Sequence, residues 1–485
     1  MEYETVIGLE VHVHLDTKTK AFCGCSTEFG QEPNSQVCPV CLGFPGSMPV
    51  LNETALDHAI KVGLALECSV QEFTKFDRKH YYYPDLPKNF QISQYDLPVS
   101  KDGFLDIEED GNVKRIRIKR AHLEEDAGKL IHKDTVSLVD FNRTGIPLLE
   151  IVTEPDINSP QEAYEYLTSV KSILEYLEIS DCDMEKGSLR CDANISVRPK
   201  GQKELGTKAE LKNMNSFKAV KEALAYESRR QIELIQDGGA VAQETRLWDT
   251  KELKTVSMRT KEEAKDYRYF PEPDLPPFLI SLEKISRIQK TIPELPKQKL
   301  LRFVREYGLS EKDAKVLVAS KKDSEYAQEC LRAYPGKDKK IIANWLIGPL
   351  LSEANDRKCA LTEVKVAVKD LLELISYVEK EVISNLSAKA VLKEMIDTGA
   401  AAETIIKAKN LVQISDSGAL ESAIDAVIKE NPKSGQDYRD GKTNALMFLV
   451  GQAMKKTGGK ANPKVVQELL KKMLSSDGGN RCAEK

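Results

Sequence analysis

The sequence predicts an α+β protein: a largely antiparallel sheet domain comes first, followed by all-α helical and tail domains. Three observations predict it. Period-two alternation of apolar and polar residues recurs through the first part of the chain, prolines then cluster at positions 271, 273, 276, 277, 293 and 296, and beyond them apolar residues keep helical spacing. A chain of 485 residues holds about two to four domains, and its 41% hydrophobic content is that of a globular protein.

The first strand is Val6-Ile-Gly-Leu-Glu-Val-His-Val-His-Leu15, where Leu9, Val11, Val13 and Leu15 face one side and Glu10, His12 and His14 the other. One face is oily and the other bears ligands. In Ile146-Pro-Leu-Leu-Glu-Ile-Val152, Glu150 interrupts an apolar run, and a carboxylate desolvated there is costly unless a cation or strong donors face it. In Leu189-Arg-Cys-Asp-Ala-Asn-Ile-Ser-Val-Arg198, Arg190, Asp192, Asn194, Ser196 and Arg198 oppose an apolar set. Thr207-Lys-Ala-Glu-Leu-Lys-Asn213 puts Lys208, Glu210 and Lys212 on one side. Taken singly, each polar side reads equally well as the wet side of an antiparallel sheet. Together, Glu10, His12, Glu124, Glu125, Glu150, Asp192 and Glu210 make an oxygen-rich donor set that suits Mg²⁺, which keeps positions open for substrate phosphates. All six histidines precede residue 133, which concentrates this chemistry in the sheet domain.

Four of the ten cysteines are grouped as Cys23-Gly-Cys25 and, after twelve intervening residues, Cys38-Pro-Val-Cys41. Two close pairs across a short loop match a structural Zn²⁺ knuckle, although the first pair is tighter than the usual spacing. Cys68, Cys182, Cys191, Cys330, Cys359 and Cys482 read as isolated thiols. Asn158-Ser159-Pro160 caps a helix over 160–177, Ser310 opens another with Asp313 three residues on, and Thr362 is expected to cap a third that contains Val364, Val368, Leu371, Leu372 and Ile375. A last module carries apolar runs at 445–450 and 465–470 joined through Gly458-Gly459. The expected boundaries are 1–292 for the sheet domain, 293–410 for the helical domain, 411–475 for the tail domain and a disordered end over 476–485.

The net charge of −5 argues against indiscriminate coating of nucleic acid. Residues 442–472 are the exception: Lys442, Lys455, Lys456, Lys460, Lys464, Lys471 and Lys472 face the single acid Glu468, a local balance of +6 that fits a phosphate backbone or a solvated helix face. The acidic start shows no targeting segment and no apolar run approaches membrane-spanning length, so a cytoplasmic location with no membrane partner is expected. Two strings approach a phosphate-binding loop and both miss: residues 201–208 reverse the final Lys and Thr, and residues 435–443 have five intervening residues instead of four. Any ATP phosphates must therefore be gripped by side chains and metal. No glutamine-hydrolysing constellation is visible, so ammonia must come from elsewhere.

Longer strings carry a resemblance. Val6-Ile-Gly-Leu-Glu-Val-His12, Lys75-Phe-Asp-Arg-Lys79, Tyr83-Pro-Asp85, Gln91-Ile-Ser-Gln94, His122-Leu-Glu-Glu-Asp-Ala-Gly-Lys129, Leu148-Leu-Glu-Ile-Val152, Gly187-Ser-Leu-Arg-Cys-Asp-Ala-Asn-Ile-Ser196, Lys208-Ala-Glu-Leu-Lys-Asn213 and Asp266-Tyr-Arg-Tyr-Phe-Pro-Glu-Pro-Asp274 resemble the B subunit of the tRNA-dependent amidotransferase, GatB, across essentially the whole chain. The absence of an inserted domain points to the bacterial type. The resemblance implies a glutamine-synthetase-like cradle and a YqeY-like tail that contacts tRNA. It implies ATP-dependent phosphorylation of the side-chain carboxylate of Glu-tRNA(Gln), Asp-tRNA(Asn) or both, then amidation by ammonia. Its partners would be a glutaminase A subunit and a small C subunit.

By motif position the resemblance implies metal binding by Glu10, His12, Glu125 and Glu150, with Glu124, Asp192 and Glu210 in or beside the coordination sphere. Glu124, Glu125, Glu150, Arg190 and Lys208 are the catalytic candidates, and Lys79, Arg190 and Tyr82 the candidates for contacting ATP. The run Tyr81-Tyr82-Tyr83 reads either as a base-stacking platform or, more simply, as packing in the sheet core. A free-standing ligase for a small carboxylate and a non-enzymatic tRNA scaffold are the competing readings. ATP cleavage with and without charged tRNA separates the first, and the effect of Glu150→Gln on phosphorylation separates the second.

Overall fold

The computed structural model describes residues 2–109, 111–260, 266–412, 417–457 and 461–476. The Gly458-Gly459 joint, Lys460, and the end of the chain from 477 with Cys482 lie outside the described residues. The chain divides into two compact units, Met1–Pro296 and Lys297–Lys485.

A nine-stranded sheet organises the first unit. Its strands in chain order are β1 (Tyr3–His14), β2 (Ser69–Val70), β3 (Ser100–Glu109), β4 (Asn112–Glu125), β5 (Pro147–Thr153), β6 (Leu189–Pro199), β7 (Ala209–Lys212), β8 (Glu244–Asp249) and β9 (Lys254–Thr260). They lie in the order β9-β8-β7-β6-β1-β5-β4-β3-β2. Among the described residues of this sheet only β7 and β8 pair in parallel; every other neighbour is antiparallel. The expected alternation in β1 holds, with Leu9, Val11 and Val13 buried and Glu10, His12 and His14 only partly so.

Three helices cover the oily face: α1 (Glu53–Ala65), α2 (Pro160–Tyr176) and α3 (Phe217–Gln236). Their buried residues, among them Ile60, Tyr166, Leu167, Val170 and Leu224, join Ile7, Leu9, Val11, Leu149, Ile151 and Ile195 in one core. Each such side chain contributes about 1.5–3 kcal/mol on leaving water. Ser159 caps α2 as expected, accepting from the Glu162 amide at 3.0 Å with Pro160 at the first helical position. With helices on one face, only the other face is left for chemistry.

The second unit is helical and has two separate cores, one between Phe303 and Ile406 and one between Leu420 and Leu474. Ser310 caps the helix Glu311–Leu317, accepting from the Asp313 amide at 3.1 Å. Thr362 does not cap the next element: it lies inside a 3-10 turn, Leu361–Glu363, and the helix begins only at Val368. Leu361, Val364 and Val366 are drawn into the core one after another, which consumes the residues that a longer helix would need. No described helix is long and apolar enough to cross a membrane.

Candidate active site

Register assembles the ligand face. Glu150 on β5 stands opposite His12 on β1 and, on its other side, opposite His122 on β4; His12 in turn stands opposite Arg190 on β6. One row across four strands thus reads Arg190, His12, Glu150, His122. One step along, Glu10 stands opposite Asp192, and one step further Asn194 stands opposite Glu210. These residues are separated by up to two hundred positions in the sequence, and only strand pairing brings them together.

Two donor groups result. His12, Glu124 and Glu150 present ligand atoms within 4.8 Å of one another, and so do Glu10, Asp192 and Glu210. His12 Nε2 is 3.4 Å from Glu150 and 3.9 Å from Glu124, and His122 Nε2 is 3.4 Å from Glu150 and 3.8 Å from Glu124. Burial opposes the charge of Glu150, yet His122, His12 and Lys79 hold its carboxyl well below the usual carboxylate range. Burial likewise disfavours His12 as a cation, but Glu150 and Glu124 outweigh it and its pKa is raised. Glu10 is pushed up, first by burial and then by Glu150. Carboxylates that repel one another while a histidine stands in as counter-charge are the arrangement a divalent cation would relieve.

The second group already holds a cation of its own. Lys212 Nζ contacts Asp192 and lies 3.2 Å from Glu210, while Asn194 donates to Glu10 at 2.9 Å and Thr245 to Glu210 at 2.8 Å. Lys79, on the short strand Asp77–His80, faces the first group; burial opposes its charge, and Glu124, Tyr269 and Glu150 restore it. Its Nζ sits 5.0 Å from the centre of the Tyr267 ring. Arg190 forms an ion pair with Asp126, its Nη2 2.9 Å from the carboxylate, while its buried Nε and Nη2 make no well-aligned hydrogen bond among the described residues. Asp126 also binds His14 at 2.6 Å, and despite burial Arg190 and His14 hold it far below the usual carboxylate range.

Glu125 and Lys208 lie outside both groups. The pleat turns Glu125 to the face opposite Glu124, where Lys88 contacts it, the Ile92 amide donates to it at 3.0 Å and Gln91 donates to its carbonyl at 2.7 Å. Lys208 is exposed before β7 begins. Of the tyrosine run, Tyr82 is 64% exposed and Tyr83 46%, whereas Tyr81 is half-buried and donates to Gln91 at 3.4 Å. The run follows the strand Asp77–His80 as irregular chain at the rim, where no sheet face covers Tyr82 or Tyr83. His122 and Asp126 are functional-looking residues that alternation does not single out, and Lys212 and Asn194, placed by it on the polar side, gain a role only from the contacts above. The first two lie in the string His122–Lys129, and the last two share the ligand-side parity of Glu210 and Asp192.

Cys23, Cys25, Cys38 and Cys41 do converge, with all four sulfurs within 4.8 Å of one another. Cys38 and Cys41 Sγ are 3.9 Å apart, close to the ~3.8 Å that tetrahedral bonds of ~2.3 Å to one ion impose. Hydrogen bonding from Cys23 holds the Cys41 thiol down to about 5, while burial pushes Cys25 up to about 11.

The GatB/GatE catalytic domain family matches residues 5–286, and the GatB domain family matches residues 325–474. The B subunit of the aspartyl/glutamyl-tRNA(Asn/Gln) amidotransferase of Carboxydothermus hydrogenoformans is 56% identical over 479 residues, covering 98% of this chain and 99% of the relative. The protein of the same name from Caldanaerobacter subterraneus is 55% identical over 476 residues, 98% and 100%. That of Brevibacillus brevis is 52% identical over 477 residues, 98% and 99%.

Proposed function

Since the chain belongs to the family of tRNA-dependent amidotransferase B subunits, we propose that its ligand face activates the side-chain carboxylate of Glu-tRNA(Gln), Asp-tRNA(Asn) or both. The γ-phosphoryl group of ATP passes to that carboxylate, ADP leaves, and ammonia then displaces phosphate from the acyl phosphate to give the amide. A free carboxylate would have to expel oxide; phosphate leaves far more readily. The observation that carries the reading is the convergence of His12, Glu124 and Glu150 beside Glu10, Asp192 and Glu210 on one sheet face.

Mg²⁺ bound to these donors would neutralise charge on the transferring and leaving groups. His12, Glu124 and Glu150 would hold one ion, and Glu10, Asp192 and Glu210 would hold another by exchanging it for the Lys212 ammonium that bridges Asp192 and Glu210. Around them the chain's own residues have defined work. Lys79 and Arg190 bring positive charge to the phosphate oxygens, and the orphaned Nε of Arg190 has a hydrogen bond still to give. Asp126 keeps the Arg190 guanidinium fixed, with His14 and Arg143 on its other sides. Glu125, set behind the face, acts by positioning Lys88 and the strand Phe90–Ser93. Exposed Tyr82 offers a ring face to the adenine of ATP or the terminal adenosine of tRNA.

The four cysteines would hold structural Zn²⁺, a scaffold trait outside the chemistry. A glutaminase A subunit supplies ammonia in a heterotrimer that a small C subunit links together, working in the cytoplasm on misacylated tRNA. Residues 1–292 form the catalytic cradle, 293–410 the helical domain, and the lysine-rich 411–475 the tRNA-contacting tail. Reconstitution with both partner subunits and each misacylated tRNA, scored for amide product, tests the proposal. ATP cleavage that is indifferent to the aminoacyl group would overturn it.

A further inference from the structure

Behind the ligand face lies a lysine that the proposed chemistry does not use. Lys20 is completely buried, and its Nζ donates to the Gln36 carbonyl at 2.8 Å and the Phe141 carbonyl at 3.3 Å while lying 3.8 Å from Cys41 Sγ. No carboxylate is within 4.0 Å of it among the described residues. A buried amine without a counter-charge is costly. Four thiolates around one divalent ion carry a net charge of −2, and the cysteine cluster is the group placed to supply what Lys20 lacks.

The same spot joins the cluster to the back of the ligand face. A Cβ built on Gly145 would lie 3.5 Å from Lys20 Cδ, 3.7 Å from Cys41 Cβ and 3.8 Å from Glu125 Oε2, so all three crowd one turn. That turn is tied in on both sides: the Ala21 amide donates to the Gly145 carbonyl at 2.8 Å, and the Gly145 amide to the Asp126 carbonyl at 2.9 Å. The loop between the cysteine pairs is laced to the chain entering the turn. The Asn34 amide donates to Asp140 at 3.0 Å, the Phe141 amide to Asn34 at 2.8 Å, and the Gln36 amide to Asn142 at 2.8 Å. On the other flank, Gly43 has φ +71 and touches Lys88 so closely that a Cβ there would lie 2.5 Å from Lys88 Cγ. Lys88 is the partner of Glu125.

We propose that Lys20 is the internal counter-ion of the metal-loaded four-cysteine centre, and the positioning residue through which that centre fixes the 141–146 turn and the Glu125–Lys88 pair. The proposal rests on the reading of the cysteines as a metal centre. Its readouts involve neither ATP nor tRNA, so its failure leaves the proposed amidation standing, and the reverse also holds.

The test uses the full chain loaded with Zn²⁺ or with Co²⁺ as a spectroscopic probe. Lys20→Met, close in length but uncharged, is expected to lower metal affinity about 10- to 100-fold in chelator competition. It should also shift the thiolate-to-cobalt absorption band and speed hydrogen exchange at residues 141–146. Unchanged affinity and exchange in a folded Lys20→Met chain would overturn the proposal. Should that variant fail to fold, stripping the metal from the unmutated chain decides. Faster exchange at 141–146 and at Lys88 supports the coupling, and unchanged exchange there, or an unmutated chain that takes up neither ion, sinks it.

Discussion

Two clusters of metal-type donors sit in the same unit and are built in opposite ways. The acids and histidines of the ligand face stand on paired strands, so their separations are set by register and by the core beneath them. The four thiols stand on irregular chain before the first helix, in a segment held by side-chain hydrogen bonds. A site supported by a sheet can lose an ion and keep its shape, which suits ions that enter with each substrate. A site on loops draws its order from the ion, which suits a permanent one.

The sharpest break between the two would come from Glu150→Gln. Acyl-phosphate formation is expected to fall about 10²- to 10³-fold, with the chain still folded and binding charged tRNA, although loss of the charge that His12, His122 and Lys79 favour lowers its melting temperature by a few degrees. Loss of the folded state with phosphorylation falling only in proportion to it would show that the acids are structural. Cys41→Ser should do the reverse, costing roughly 3 kcal/mol of stability in denaturant titrations while the remaining folded fraction keeps its Mg²⁺ affinity.

A pH titration separates the clusters more gently. His12 must shed its proton to accept an ion, and its pKa is raised, so Mg²⁺ affinity should weaken about tenfold per pH unit as pH falls below that raised value. Calorimetry across the range checks the slope; a flat profile would remove His12 from the ligand set. The metal-free protein runs the other way. Stability from protonated His12 is fully present below the ordinary histidine value and is lost as pH rises through the raised one.

The smallest expected effect is at Glu10. Because burial and Glu150 raise its pKa, its charge weakens the metal-free fold at neutral pH, and protonation relieves that strain as pH falls. Glu10→Gln should therefore raise metal-free stability by up to about 1 kcal/mol while lowering Mg²⁺ affinity, a trade that chemical denaturation and calorimetry would both register.

Much of this was legible in the residues themselves. Period-two alternation separated Glu10 and His12 from Leu9 and Val11, an interrupted apolar run marked Glu150, and paired cysteines marked the knuckle. Less legible was the choice between Glu124 and Glu125. Both are buried, and the pleat alone decides which faces the metal donors. Tyr82 and Tyr83 depart from the expectation of burial, which holds for aromatic residues on average, because the chain beyond the half-buried Tyr81 emerges at a rim.

Sequence by itself determined the two faces of each strand, since side-chain direction follows from spacing along one chain. It also determined the residue types that each cluster offers. Tertiary structure alone decided that Glu150 stands between His12 and His122, that Lys212 fills the space between Asp192 and Glu210, and that Lys20 is sealed against Cys41. Those neighbours are set by strand register and loop closure between distant segments, and no local pattern encodes either one.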